Sequence, residues 1–151
     1  MAKDLREFIE FLEERYPQEI IRIKEEVNPV FELAGIRSRL EKAGQDAAVI
    51  FENVKGSKIP VATNVHGNLA RLKLALGMED GELSDLLTVY ATRENNPIVP
   101  KSVETGPVKE VILREEAVDL DLLPICTYHE KDAGPYITAG LGVTRDPVSG
   151  I

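Results

Sequence analysis

Side chains with chemical capacity are few in this 151-residue chain, and the most suggestive lie late in it. Cys126 and His129 stand in a Cys-x-x-His spacing beside Glu130 and Asp132, a set that invites a zinc reading. Structural zinc wants a full tetrahedral set of thiolates or imidazoles, and the only other histidine is His66. A surface-loop histidine and a buried cysteine account for the spacing better. With a lone cysteine no Cys-His-Asn/Asp pattern can be recognised, so a nucleophilic role for Cys126 is weakly founded. A little further on, Tyr136, Thr138, Gly140 and Gly142 alternate with Ile137, Ala139, Leu141 and Val143, the period of two that a half-buried strand requires. The face carrying Thr138, Gly140 and Gly142 has almost no bulk. It suits tight strand packing or a bulge, or else a flat ligand lying against the backbone, with the Thr138 hydroxyl free to donate or accept. Spacing alone leaves both readings open.

Two earlier loops contain glycine. Lys55-Gly56 and Asn64-Val65-His66-Gly67-Asn68 lack the spacing of a nucleotide cradle, and capping and turn geometry explain them, although the second leads into a helix N-terminus that could attract an anion. The acidic residues Glu115, Glu116, Asp119 and Asp121 read most simply as a solvated loop.

Regular elements must position these groups. Asp4 followed by Glu7 signals a helix start, and Leu5, Phe8, Ile9 and Leu12 recur at helical spacing up to Tyr16-Pro17. Residues 19–23 are short and β-branched, a strand. Asn28-Pro29 supplies an N-cap and a first-turn proline for a second helix, with Leu33, Ile36 and Leu40 on one face and Gly44 as its stop. Residues 47–51 and 59–63 are apolar runs expected as buried strands of undetermined pairing sense. Gly67-Asn68 opens a third helix lined by Leu69, Leu72 and Leu76 and closed by Gly77, and a fourth carries Leu83, Leu86, Leu87 and Tyr90. Asn95-Asn96-Pro97, Pro100 and Gly106-Pro107 then punctuate a boundary or long linker. Beyond it the pattern predicts strands alone, at 108–113, 120–123 and 135–144, followed by turn chemistry in Asp146-Pro147-Val148-Ser149-Gly150 and the first residue of a returning strand at Ile151. The expected fold class is α/β (α+β): a small N-terminal sheet covered by helices over 1–106, then the opening strands of a second, truncated unit over 107–151. A lone apolar edge strand is a liability that complete domains cover, so the chain reads as the front part of something larger.

Composition bounds the partners. A hydrophobic fraction of 43% with 5% aromatics supports an aliphatic core, and 29% charged residues make an ordinary surface. The net charge of −8 leaves no basic patch for phosphate, which argues against nucleic acid and anionic membranes. Cysteine usage and an N-terminus without an apolar signal region point to a reducing, cytoplasmic compartment.

Taken together, Phe51-Glu52-Asn53-Val54-Lys55-Gly56, Gly67-Asn68-Leu69 with Ala75-Leu76-Gly77, Gly106-Pro107-Val108-Lys109-Glu110, Leu122-Leu123-Pro124, and Asp132-Ala133-Gly134-Pro135-Tyr136-Ile137-Thr138 with Val143-Thr144-Arg145-Asp146-Pro147 resemble the UbiD family of reversible decarboxylases, which use prenylated FMN. The resemblance runs in order over nearly the whole chain. It implies a second unit resembling the split β-barrel of flavin reductases, an aromatic or α,β-unsaturated carboxylic acid as substrate, and a homo-oligomer when complete. It also implies prenylated FMN held with a divalent metal, manganese, with or without potassium, in the complete protein. Thr138 and Gly140 correspond to the strand that faces substrate and isoalloxazine in the family. The family's asparagine and histidine metal ligands, its catalytic arginine and the acids that work with it follow the Asp-Pro-x-x-Gly turn, beyond Ile151. No catalytic residue and no metal ligand is therefore expected here, and the chain by itself is expected to be inactive and to bind no cofactor. The loop Cys126-Thr127-Tyr128-His129-Glu130-Lys131 varies among relatives and leaves the substrate open. An alternative is an interaction module whose sheet a partner chain completes by strand addition.

Overall fold

The computed structural model describes residues 4–140, 142 and 144–150. Its element order is α1 (Leu5–Arg15), β1 (Ile20–Val27), α2 (Glu32–Lys42), β2 (Ala48–Val54), β3 (Val61–Thr63), α3 (Leu69–Ala75) and α4 (Leu83–Asn95). The three strands form one mixed sheet in the order β1-β2-β3, with β1 parallel to β2 and β2 antiparallel to β3.

Helix α1 follows from local chemistry. The Asp4 carboxylate accepts the Glu7 N–H at 2.9 Å, and Phe8 and Leu12 are buried. The parallel β1–β2 pair needs a crossover, and α2 supplies it. Strand β2 lies between two neighbours and is buried at Ala48, Val49, Ile50 and Phe51, which explains its uninterrupted apolar run. On one face, Val27, Leu33, Val49, Phe51, Val54 and Cys126 form the core, with Ile36, Leu40, Val61 and Tyr128 packed around it. Gly44 closes α2 with φ of 76°, a conformation glycine adopts without a Cβ clash.

The start of α2 departs from expectation. Asn28 and Pro29 do not cap it; the helix begins at Glu32, after a Phe31 with φ 66° and ψ −36°. The Glu32 N–H donates to the Val30 carbonyl at 2.8 Å, closing a γ-turn of the rare, strained hand centred on Phe31. Such a backbone costs about 1–3 kcal/mol and persists only where surroundings impose it. Here a parallel bridge from Val30 to Thr127 imposes it, drawing residues 29–31 away from the helix.

Helix α3 also turns differently. Asn68 caps it by accepting the Arg71 N–H at 2.8 Å, as expected, yet Leu69 and Leu72 are exposed and Arg71 is the buried residue. In α4 only Leu86 is buried; Leu83, Leu87 and Tyr90 face outward.

Residues 108–113, 120–123 and the described part of 135–144 form no strand. Short 3-10 turns stand at Pro107–Lys109, Glu115–Ala117 and Leu120–Leu122. Strands exist only as hydrogen-bonded partners, and in this stretch alternation meets no facing ladder. Leu141, Val143 and the strand start at Ile151 lie outside the described residues. In consequence Ile98, Val99, Val108, Val111 and Val148 are each more than 75% exposed.

Candidate functional site

Of the residues singled out by type and spacing, Cys126 and Thr138 line one pocket beside Val61 and Ala62 of β3, and His129 is not part of it. After the exposed stretch the chain returns at residues 122–128 and locks onto the first unit. The Ser57 hydroxyl donates to the Leu122 carbonyl at 3.1 Å, the Phe31 N–H to the Thr127 carbonyl at 2.9 Å, and the Thr127 N–H to the Pro29 carbonyl at 3.2 Å. Cys126 is thereby buried within the core, and burial pushes its thiol above the ordinary value, against a smaller opposing effect of Tyr128. A thiol so placed packs and does not attack.

His129 does not join Cys126. It is exposed, and its N–H, like that of Tyr128, donates to the Asp132 carboxylate, at 2.8 and 3.2 Å, which folds residues 128–132 into a turn. Among the described residues no group of three or more His, Cys, Asp or Glu could hold a metal ion.

From this turn the chain reaches Tyr136, whose N–H donates to the Cys126 carbonyl at 3.1 Å and whose ring lies 5.1 Å from that of Tyr128, tilted by 56°. Beyond it a pocket of about 250 Å³ opens against the free edge of β3, lined by Val61, Ala62, Cys126, Tyr128, Tyr136 and Thr138 among others. Thr138 and Gly140 are exposed. A Cβ on Gly140 would meet Ile137, at 3.6 Å from its side chain, and one on Gly142 would find open space, so neither glycine is closely packed.

A second feature escaped sequence reasoning. Arg71 is fully buried, and its guanidinium donates to the Glu19 carboxylate at 2.5 Å and to the carbonyls of Val65 and Asn64, each at 3.1 Å. Asn68 adds a bond to the same Glu19 oxygen at 3.2 Å. Nearby, the Asn64 amide holds the Asp46 carboxyl below the ordinary carboxylate value, with Asn68, Arg71 and Arg37 assisting. The network fixes the 64–68 loop, where Asn64 has φ of 56° and the His66 ring stacks on Phe8 at 5.7 Å. Those donors are consumed internally, so the loop's chemistry is structural. Glu19 and Arg71 are fifty-two residues apart, and no local pattern signals their pairing.

Known proteins give this arrangement its context. Residues 9–88 match the 3-octaprenyl-4-hydroxybenzoate carboxy-lyase N-terminal domain, and residues 101–151 match the Rift-related domain of the same enzymes. The chain belongs to the UbiD family. Phenolic acid decarboxylase of Sedimentibacter hydroxybenzoicus is 36% identical over 150 residues, covering 96% of this chain and 31% of that protein. The UbiD-class enzyme HmfF of Pelotomaculum thermopropionicum, solved in an evolved dimeric form with prFMN, is 36% identical and superposes with a TM-score of 0.84 over 99% of this chain and 34% of its own. Klebsiella pneumoniae 3,4-dihydroxybenzoic acid decarboxylase (AroY) superposes at 0.82 with 26% identity, over 99% of this chain and 32% of its own. This UbiD-family chain thus spans about a third of the length of the relatives it matches. No helix among its described residues is long and apolar enough to cross a membrane.

Proposed function

We propose that this chain is the N-terminal part of a UbiD-type reversible decarboxylase acting on an aromatic or α,β-unsaturated carboxylic acid, and that it is inactive by itself. The observation that carries the reading is the superposition of nearly the whole chain on a third of HmfF, a UbiD-class enzyme solved with prFMN. Surface area supports the same view. The chain exposes 12129 Å², whereas a self-contained protein of its 16.7 kDa exposes about 7,600 Å² by the usual scaling. Exposed apolar residues such as Ile98, Val99, Val108 and Val148 are surface that further polypeptide would cover in this reading.

In this reading residues 1–106 are the N-terminal α/β domain and 107–151 open the central split-barrel domain, whose strands form once their partners are present. Thr138 and Gly140 become part of the wall beside cofactor and substrate. The fit is that of one wall only: a largely apolar pocket lined by Tyr128, Tyr136 and Thr138 suits the face of a flat ring, while the described residues offer no ligand set for manganese. Prenylated FMN, when bound, supplies the electron-accepting chemistry of decarboxylation, and this chain's residues orient the ring and shield it from water. The complete enzyme is a cytoplasmic homo-oligomer in this proposal, consistent with the free Cys126.

A second reading is favoured by the open edge of β3 and the exposed apolar stretch: a separate partner chain supplies the missing strands by strand addition. The two part company in one experiment. The polypeptide extended to the length of the solved relatives is loaded with prenylated FMN and manganese, and CO2 release is followed over a panel of aromatic and unsaturated acids. We expect turnover of at least one acid, and a loss of at least about tenfold in kcat/KM for Thr138→Trp, which fills the wall, a change of ~1.4 kcal/mol. Turnover that appears only when a second polypeptide is added supports the partner reading, and no turnover with any acid defeats the enzyme reading.

A further inference from the structure

We propose that the strained γ-turn at Phe31 is a clamp through which the N-terminal sheet fixes the position of the Tyr136–Gly140 segment. The inference rests on the proposed role of Thr138 and Gly140 for its functional meaning, but the clamp itself stands on this chain's geometry.

Six contacts make a continuous path. Asn28 Oδ1 accepts the Val30 N–H at 2.9 Å and Glu32 Oε2 accepts the Asn28 N–H at 2.8 Å, so the turn is braced from both ends. The turn aims the Phe31 N–H and the Pro29 carbonyl at Thr127, making two backbone bonds with a residue almost a hundred positions away. The adjacent Cys126 sits in the core and its carbonyl receives the Tyr136 N–H, while Tyr128 supports the Tyr136 ring. Thr138 is two residues further on. Among the described residues, those after Pro135 make one backbone bond to the segment that is locked onto the first unit, the Tyr136 bond to Cys126, and it depends on where residues 126–128 are held.

The choice of residue makes the point sharper. A positive φ is easily met by glycine, or by asparagine, and this chain places a half-exposed phenylalanine there instead. Local preference would start α2 at Pro29, with Asn28 as its cap. A conformation that contradicts local preference persists where long-range contacts over-determine it, and it is over-determined here by Thr127. The first unit therefore stores strain at the place where it grips the return segment. Phe31 is accordingly a positioning residue: it touches no reacting group and acts through Thr127, Cys126 and Tyr136.

The test uses the 151-residue chain and reads local opening against global unfolding, by amide hydrogen exchange at Tyr136 and Thr127 and by the rate at which a thiol reagent labels Cys126. Phe31→Pro removes the N–H and forbids the positive φ. We expect exchange at Tyr136 and labelling of Cys126 to accelerate at least about tenfold, while amides of the β1–β2 ladder stay within about twofold of their original rates. Phe31→Gly keeps both the donor and the turn, and should leave all rates within about twofold of the original. Thr127→Pro cuts the clamp from the other side and should reproduce the Phe31→Pro pattern, which keeps the test decisive if Phe31→Pro does not fold. Unchanged rates at Tyr136 and Cys126 in a folded Phe31→Pro or Thr127→Pro chain, acceleration shared equally by the sheet, or opening by Phe31→Gly as large as by Phe31→Pro would each overturn the clamp. Because no readout involves catalysis, a clamp that passes while Thr138 substitutions leave decarboxylation untouched would refute the wall reading and not the clamp.

Discussion

Replacing Arg71 by alanine should lower the stability of the chain by about 3–5 kcal/mol in denaturant titration, a large part of what a domain of this size possesses. The guanidinium is wholly buried and satisfies the Glu19 carboxylate and two backbone carbonyls at once. Deleting it leaves Glu19, itself only 23% exposed at the side chain, without its cation, and strands the carbonyls of Asn64 and Val65. Lysine is no substitute, because a point charge cannot reach a carboxylate and two carbonyls in different directions, so Arg71→Lys should retain most of the loss. Glu19→Gln should cost less, since the carbonyl contacts remain. A loss below about 1 kcal/mol for Arg71→Ala would mean that water replaces the fork and that the network is not a fixed part of the fold.

Truncating Phe51 to alanine should cost a comparable amount, about 3–5 kcal/mol, for a different reason. Phe51 is the centre of β2, paired with Ile23 on one side and Val61 on the other, with no exposed area. Its ring shares the core with Cys126, so the cavity forms beneath the returning segment as well as within the sheet. We therefore expect sheet amides and the Cys126 thiol to lose protection together, in contrast to the selective opening expected for Phe31→Pro. A Phe51→Ala chain in which Cys126 stays protected while the sheet exchanges freely would separate the return segment from the core.

Much of the first unit was legible from residue order because its determinants are local. Asp4, Asn68 and Gly44 act within a turn of themselves, and the period of α1 points Phe8 and Leu12 inward in any context. The β2 run declared its burial by having no polar break. Where long-range contacts intervene, periodicity misleads. Asn28-Pro29 has the chemistry of a helix start, yet the bridge to Thr127 defers α2 to Glu32. Leu69 and Leu72 promised a buried face for α3, but the pull of Glu19 on Arg71 sets the helix rotation. For α4, Leu83, Leu87 and Tyr90 form the apolar stripe that the sequence announces, and the sheet gives it no surface to cover. The strands expected after residue 107 have the right alternation and lack partners, which one segment cannot supply for itself.

The candidate site was legible in part for the same reason. The small face at Thr138 and Gly140 is visible in the sequence, and its proposed place beside cofactor and substrate rests on the family resemblance alone. The pocket against β3, the Tyr128–Tyr136 pair and the grip on Thr127 depend on the chain leaving the sheet and returning to it, for which residues 95–123 carry no signal.

Whether the cofactor site needs further polypeptide is decided by a titration of prenylated FMN, with manganese present, into two proteins: the 151-residue chain and the same polypeptide extended to the length of the solved relatives. Binding is followed by calorimetry and by the absorbance of the flavin. The extended protein is expected to bind one cofactor per chain with a change in the absorbance spectrum, and the 151-residue chain to give neither heat nor spectral change. Stoichiometric binding by the short chain, or none by the extended one, would show that the 151 residues are not a cofactor-free part of a prenylated-FMN enzyme.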